Sequence, residues 1–174
     1  MNESILSAWD IAEAQPATDA NPRELLIHAV NYAILAPSSH NSQPWQFRIT
    51  GEQLELYADR TRALAVVDHA DRELVISCGA ALFCVRATLQ HLGVEPLIEL
   101  EPEGPASDLL ARVGVGKRRS ATEADHALFQ AITQRRTTRT PFEARDLPDT
   151  LQRSLADAAE GEGAALWVMR TPQQ

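Results

Sequence analysis

Residues 36–45 read Ala-Pro-Ser-Ser-His-Asn-Ser-Gln-Pro-Trp and stand between a predicted helix and a predicted strand. Pro37 ends the helix, because a proline disfavours the α conformation in the residue before it. The stretch is dense in hydroxyl and amide groups, which can hydrogen-bond a polar ligand. The same composition is also typical of a capped helix end followed by an ordinary turn. The residues alone leave both interpretations open.

A second polar loop follows further along the chain. Residues 134–140 read Gln-Arg-Arg-Thr-Thr-Arg-Thr, with three arginines and three threonines in succession. Guanidinium groups and hydroxyls at this density suit a phosphate. A solvated basic turn explains the same residues equally well, because runs of charge usually lie on the surface.

Hydrophobic periodicity on both sides of these loops predicts alternating helices and strands. Asn21 and Pro22 supply an N-cap and a first-turn proline for the first helix, and alternating apolar residues around Gly51 predict a hairpin. The aromatic residues Trp45, Phe47 and Trp167 are expected in the core of their strands. The predicted helices are 22–35, 71–92, 123–134 and 147–160, and the predicted strands are 45–49, 54–57, 95–100, 109–115 and 165–169.

Composition and charge narrow the classes of partner. The 174 residues carry a formal net charge of −8 and are 44% hydrophobic, which suffices for one domain with a core. An acidic chain binds polyanions poorly, so we expect no nucleic-acid partner. Residues 112–145 are the exception, with eight basic and three acidic side chains that attract anions. Without a signal peptide or an apolar span, we expect a soluble, cytoplasmic protein and no membrane partner.

The cysteines and histidines do not predict a metal site or a disulfide. Cys78 and Cys84 lie six residues apart on a predicted helix, which puts them on different sides of it. The apolar surroundings of Cys78 raise the pKa of a thiol and make it unreactive. Together with His69 and His91, these cysteines have spacings that do not converge on one zinc ion.

Taken together, the two polar loops resemble two motifs of the nitroreductase family. Residues 37–45 match, at nearly every position, the family's flavin-contacting pattern Pro-Ser-Ser-x-Asn-x-Gln-Pro-Trp. Residues 135–139 resemble its Arg-Arg-Ser-x-Arg motif, with a threonine in place of the serine. The resemblance implies an α+β, nitroreductase-like fold with a mixed, mainly antiparallel sheet flanked by helices. It assigns FMN binding to Pro37, Ser38, Ser39, Asn41, Gln43, Arg135, Arg136, Thr137 and Arg139.

The order of the motifs resembles that of tandem, Acg-type members of the family. In ordinary members the arginine motif precedes the Pro-Ser-Ser loop and the two come from different subunits, whereas here the arginines follow. The resemblance therefore implies an N-terminal arm at 1–20, a first repeat at 21–116, and a linker with the beginning of a truncated second repeat at 117–174. One flavin would lie across the two repeats.

The activity implied by the resemblance is that of an FMN-dependent oxidoreductase. Electrons would pass from NAD(P)H through the flavin to a nitro compound, a quinone or a similar small acceptor, with no catalytic side chain required. The alternatives are a stress protein that sequesters FMN without turnover and an inert half-protein. A homodimer, or a partner chain, would supply the missing part of the second repeat.

Overall fold

The computed structural model describes residues 16–17 and 19–169, so most of the predicted arm at 1–20 lies outside the described residues. The chain divides into two compact units, Met1–Thr137 and Thr138–Gln174. The predicted boundary between residues 116 and 117 falls inside a strand. The first unit contains α1 (Pro22–Ala33), β1 (Trp45–Thr50), β2 (Gln53–Ala58), α2 (Arg72–His91), β3 (Val94–Leu100), β4 (Leu109–Arg118) and α3 (Glu123–Gln134), and the second contains α4 (Asp149–Gly161).

The four strands form one sheet in the order β1-β2-β4-β3, with every neighbouring pair antiparallel. The sheet has an apolar face because side chains alternate along a strand: Leu54, Leu56 and Ala58 of β2 are buried. On the other face Glu55 forms ion pairs with Arg48 and Arg112 at 2.8 and 3.4 Å. Helices α1 and α2 pack against the sheet and each other. The predicted α+β fold with a mainly antiparallel sheet is confirmed.

Helix α1 begins where the sequence predicts. The side chain of Asn21 accepts a hydrogen bond from the backbone N–H of Glu24, whose carboxylate accepts one from the N–H of Asn21, both at 3.0 Å. This reciprocal capping satisfies two donors that the helix itself cannot use. The helix ends at Ala33 rather than at the predicted Leu35. Residues 34–36 form a turn before Pro37.

Helix α2 is the central element of the first unit. It ends at His91, and Gly93, predicted from the sequence to end the helix, follows two residues later with a φ of +70°. Nine of its residues are buried, among them Leu74, Cys78 and Leu89. Among the described helices it alone is long and apolar enough to cross a membrane on length and hydropathy, and half of that apolar window is buried inside the fold. A core helix has the same properties.

The second unit contradicts two expectations. Residues 164–169 form no strand, although 165–169 were predicted to be one, and Trp167 is 84% exposed rather than in a core. A strand requires a neighbour to accept and donate ladder hydrogen bonds. None of the described residues of this unit is buried. Its apolar side chains therefore have no core of their own to enter.

Candidate functional site

The polar segment 37–44, here called the Pro37 loop, is closed by its own hydrogen bonds. The backbone N–H of Gln43 donates to the Ser38 hydroxyl, and that of Asn41 donates to the Ser38 carbonyl, both at 3.0 Å. The N–H of Ser42 donates to the Ser39 carbonyl at 3.0 Å. Ser38 thus accepts at two atoms and folds the loop into a compact turn that contains the short 3-10 segment Ser39–Asn41.

Helix α2 fixes both ends of the Pro37 loop. The N–H of Ser39 donates to the hydroxyl of Ser77 at 3.3 Å, and the thiol of Cys78 donates to the carbonyl of Pro44 at 3.1 Å. Ser77 in turn donates to the carbonyl of Glu73 one turn earlier, at 2.7 Å. The loop is therefore held by two successive residues of a buried helix, which limits its movement.

The Pro37 loop combines a strained backbone with side chains whose hydrogen-bonding groups are unused. His40, Asn41 and Gln43 have φ values of 52°, 57° and 49°, a left-handed region that non-glycine residues seldom occupy. The side chains of Ser39, Asn41 and Gln43 make no hydrogen bond with any other residue that the structure describes. Strained backbone held in place by its surroundings is common at binding sites. These three side chains are thus available to a ligand.

Arg135 joins the second polar loop to the first. Its guanidinium donates to the carbonyl of Leu35 at 3.1 Å and to the hydroxyl of Thr137 at 3.3 Å. Helix α3 positions it, because the N–H of Arg135 donates to the carbonyl of Ala131 in the last helical turn. Arg135 thus contacts the segment that leads into Pro37, although it lies 100 residues after Leu35 in the sequence.

A cavity of ≈ 280 Å³ lies where these elements meet. Its walls come from α2, α3 and the segment that follows α1, and they are almost entirely apolar. Cys84, which faces the cavity, is buried, and burial raises the pKa of its thiol to about 11 against an opposing effect of Arg135. The lining residues are Leu35, Pro37, Ala80, Phe83, Cys84, Leu128, Ala131, Ile132 and Arg135.

Three further predicted site residues follow Arg135 in the arginine motif. The guanidinium of Arg136 turns back to the end of α3, where it donates to the carbonyls of Thr133 at 2.6 Å and Arg135 at 2.8 Å. Thr137 is exposed and contacts Arg135. Arg139 belongs to the second unit and is exposed. Within the first unit, the guanidinium of Arg135 therefore reaches Leu35, just before the Pro37 loop, and that of Arg136 hydrogen-bonds the end of α3.

Two residues that the sequence analysis did not single out also support the loop. Arg62 donates to the carbonyl of Gln43 at 3.2 Å and pairs with the carboxylate of Asp59 at 3.3 Å. The hydroxyl of Ser77 accepts a hydrogen bond from the backbone N–H of Ser39. Both lie far from residue 40 in sequence, and no local pattern indicates that they reach it.

The arrangement suits binding rather than covalent catalysis. The thiol of Cys78 faces the loop carbonyl of Pro44, and burial raises the pKa of that thiol to about 12. A thiol with so high a pKa remains protonated and unreactive at neutral pH. What the site offers instead is an apolar cavity, one guanidinium and a loop with unused hydroxyl and amide groups, a typical combination for a small-molecule site.

Comparison with known proteins identifies relatives that are similar in sequence. No family model matches the chain. It is 33% identical to an uncharacterized protein of Mycobacterium tuberculosis over 154 residues, which is 86% of this chain and 45% of that protein. It is 34% identical over 119 residues to a protein of the same organism named "Putative NAD(P)H nitroreductase acg", covering 68% of this chain and 36% of that protein. The chain thus spans less than half the length of these relatives.

A solved structure is also similar. It is a nitroreductase family protein from Streptococcus pneumoniae, which matches with 18% identity and a TM-score of 0.42 over 72% of this chain and 90% of that one.

Proposed function

We propose that this chain, whose sequence relatives support membership of the nitroreductase family, forms one side of an FMN site in an NAD(P)H-dependent oxidoreductase. The observation that carries the proposal is the contact of Arg135 with the carbonyl of Leu35 beside Pro37. It joins the two segments in which the family resemblance lies. The chain covers less than half of the length of these relatives. The activity, substrates and partners given below for the whole protein are therefore proposed with it.

The residues present fit a flavin in chemical type. A flavin has a flat, largely apolar ring system with polar atoms along one edge and an anionic phosphate. The cavity beside Pro37 is apolar, and Ser39, Asn41 and Gln43 have side chains without a partner among the described residues. Arg135 also lines this cavity, and its guanidinium donates to the carbonyl of Leu35, another lining residue. Apolar walls with a few polar groups are the usual composition of cofactor sites.

When bound, FMN would supply the redox chemistry, taking electrons from NAD(P)H and passing them to a nitro compound, quinone or similar acceptor. The chain's own residues bind and orient. Ser38 holds the turn that presents the loop side chains, and Ser77 and Cys78 anchor that turn to α2. A fixed loop presents its hydrogen-bonding groups without the entropic cost of ordering them on binding.

Among the arginines, we assign the leading part to Arg135. Its guanidinium donates to the carbonyl of Leu35 beside the cavity, whereas that of Arg136 hydrogen-bonds a carbonyl at the end of α3. Cations at a helix C-terminus stabilise the helix through its dipole. Arg136 would therefore support the loop from behind, and Thr137 would hold the guanidinium of Arg135 through its hydroxyl. Pro37, Ser38 and Arg139 complete the proposed FMN contacts.

We further propose that the chain is the first repeat, with the beginning of the second, of a two-repeat protein acting in the cytoplasm. The exposed apolar side chains Phe142, Leu151 and Trp167 of the second unit support this, since they have no core within the described residues. A homodimer or a partner chain with the remaining half of a repeat would cover them. An exposed apolar surface of this kind usually marks an interaction site.

The test is reconstitution of the full chain with FMN, followed by desalting and absorbance spectroscopy of the flavin bands. We expect retained flavin in the wild type, a large loss in Arg135→Ala, a smaller loss in Arg136→Ala, and no change in the control Arg23→Ala, whose side chain is exposed on α1. Colourless wild-type protein would contradict the proposal that the chain forms a flavin site by itself. Equal retention in all variants would remove both arginines from it.

A second measurement separates an oxidoreductase from a protein that only sequesters flavin. Adding NAD(P)H to the flavin-loaded chain under anaerobic conditions bleaches the flavin if hydride has access to it. Persistent colour after NADH and after NADPH would favour sequestration. Subsequent reoxidation by a nitroaromatic compound or a quinone would identify the class of acceptor.

A further inference from the structure

Two histidines meet where the end of α2 faces the beginning of α3. The Nδ1 atoms of His91 and His126 are 2.8 Å apart, and the ring centroids are 4.8 Å apart with the planes nearly perpendicular. This is the distance of an N–H···N hydrogen bond, in which the tautomers decide the donor, so the two Nδ1 atoms face each other. They come from residues far apart in the sequence, so tertiary packing alone creates the pair.

Packing fixes the orientation of His91. Its ring stacks on that of Phe129, with centroids 3.8 Å apart and an angle of 11° between the planes. Phe129 in turn packs on Tyr32 of α1, at a centroid distance of 4.6 Å. Because the ring of His91 is held on one face, its Nδ1 edge stays directed towards His126. The exposed ring of His126 has room to adjust.

Other titratable side chains surround His91. Burial lowers the pKa of His91, and the nearby His126 and His28 lower it further, against an opposing effect of Asp125. Asp125 itself forms an ion pair with Arg119 at 2.8 Å. A metal ion bound to both Nδ1 atoms would take the place of the hydrogen-bonded proton between them, which is released to solvent.

We propose that His91 and His126 form a two-histidine site for a divalent transition-metal ion, with Zn²⁺ as the reference ion and water in the remaining positions. Imidazole nitrogen suits zinc, copper and nickel. Two nitrogens bound to one zinc ion at about 2.0–2.1 Å in tetrahedral geometry lie roughly 3.3 Å apart. A rotation of the exposed His126 ring widens the observed separation to that value.

The number of protein ligands limits the affinity. The described residues contain no group of three or more histidine, cysteine, aspartate or glutamate side chains that could hold a metal ion. Two imidazoles with water therefore make an exchangeable site rather than a closed structural one. Bound metal would join α2 to α3, the helix that ends at Arg135, without depending on the flavin proposed above.

The experiment is titration of the full chain, free of flavin, with ZnCl₂ in an isothermal calorimeter at pH 7.5. We expect saturable binding, with the dissociation constant raised at least about tenfold in His126→Ala. The matched control His69→Ala removes an exposed histidine outside the pair and leaves binding unchanged. Absence of saturable binding, or equal binding by wild type and His126→Ala, would overturn the proposal.

Thermal unfolding tests zinc binding a second time, without measuring the heat of binding. A ligand that binds only the folded state raises the melting temperature as its concentration increases. We expect zinc to raise the melting temperature of the wild type and of His69→Ala, but not that of His126→Ala. Far-UV circular dichroism of His126→Ala checks that α3 remains folded. A zinc-dependent rise of the same size in His126→Ala would contradict the assignment.

Discussion

At the scale of single residues, Ser38 has the largest local role in the Pro37 loop. Its hydroxyl accepts the N–H of Gln43 and its carbonyl accepts the N–H of Asn41, so one residue closes the turn at two atoms. Both residues that donate to it, Asn41 and Gln43, have positive φ. The hydrogen bonds compensate for backbone conformations that cost free energy by themselves.

Replacement of this hydroxyl tests that role. We expect Ser38→Ala to lower the free energy of unfolding by about 1–2 kcal/mol, because the N–H of the half-buried Gln43 loses its acceptor. The matched control is Ser42→Ala, whose hydroxyl makes no hydrogen bond with the described residues, and the expected change is within about 0.5 kcal/mol. Urea denaturation measures both. Equal effects would show that the Ser38 hydroxyl does not hold the turn.

Two glycines of the α2 region make a second residue-scale comparison. Gly93 has a φ of +70°, and a Cβ there would lie 2.7 Å from the carbonyl oxygen of Arg119, whereas a Cβ at Gly79 meets no atom within 4 Å. We expect Gly93→Ala to lower the free energy of unfolding by at least about 1–2 kcal/mol. Gly79→Ala should raise it by about 0.5–1 kcal/mol, since alanine favours a helix interior.

Chemical denaturation of the two glycine variants checks both signs. A stable Gly93→Ala would mean that the chain reverses direction after α2 without needing the left-handed conformation. A destabilised Gly79→Ala would mean that the open space beside α2 is filled in solution, for example by a second copy of the chain.

At the scale of elements, α2 is capped by a residue outside it. Asp71, immediately before the helix, is left-handed and makes no side-chain cap. Instead the carboxylate of Asp68 accepts the buried N–H of Leu74 at 2.9 Å. Burial tends to raise the pKa of Asp68, but hydrogen bonds from the backbone N–H groups of Leu74, Glu73 and Arg72 outweigh it and lower the pKa. The helix N-terminus favours the anion.

This lowered pKa predicts a pH dependence of stability. Because the pKa of Asp68 is lower in the folded than in the unfolded chain, its contribution is present above the ordinary pKa and is lost as pH falls through the folded value. We expect Asp68→Asn to lower the melting temperature at pH 7, with the difference from wild type shrinking below about pH 4. The control Asp157→Asn, on the exposed α4, should follow the wild-type curve. A pH-independent difference would contradict an electrostatic role.

At the scale of the whole molecule, the two units differ in how they are stabilised. The first unit has a continuous core of buried residues from α1, α2, α3 and the sheet. The second has α4 and several exposed apolar side chains, including Leu147, Leu151 and Leu155, with no buried residue among those described. An isolated helix of this length is only marginally stable in water.

Hydrogen exchange should reveal this difference directly. We expect the amides of α4 to exchange with little protection, and those of the central turns of α2 to exchange only through global unfolding. We also expect a chain ending at Thr137 to unfold at the same temperature as the full chain. Strong protection of α4, or a large loss of stability on shortening, would show that the second unit is held by contacts in solution.

The sequence by itself determined most of the elements and the location of the candidate loop. Periodicity and capping act between near neighbours, so the capping residue Asn21, the end of α2 shortly before Gly93 and the helix 123–134 were predictable. The Pro37 loop was identifiable because its residues are contiguous.

Only the tertiary structure decided which distant groups meet. It brought the guanidinium of Arg135 to Leu35 just before the Pro37 loop, placed the hydroxyl of Ser77 next to the N–H of Ser39, and paired His91 with His126. It also left residues 164–169 without a strand, because a strand exists only where another strand accepts its hydrogen bonds. Contacts of this kind depend on how helices and sheet pack, and packing is a property of the whole core rather than of any local stretch.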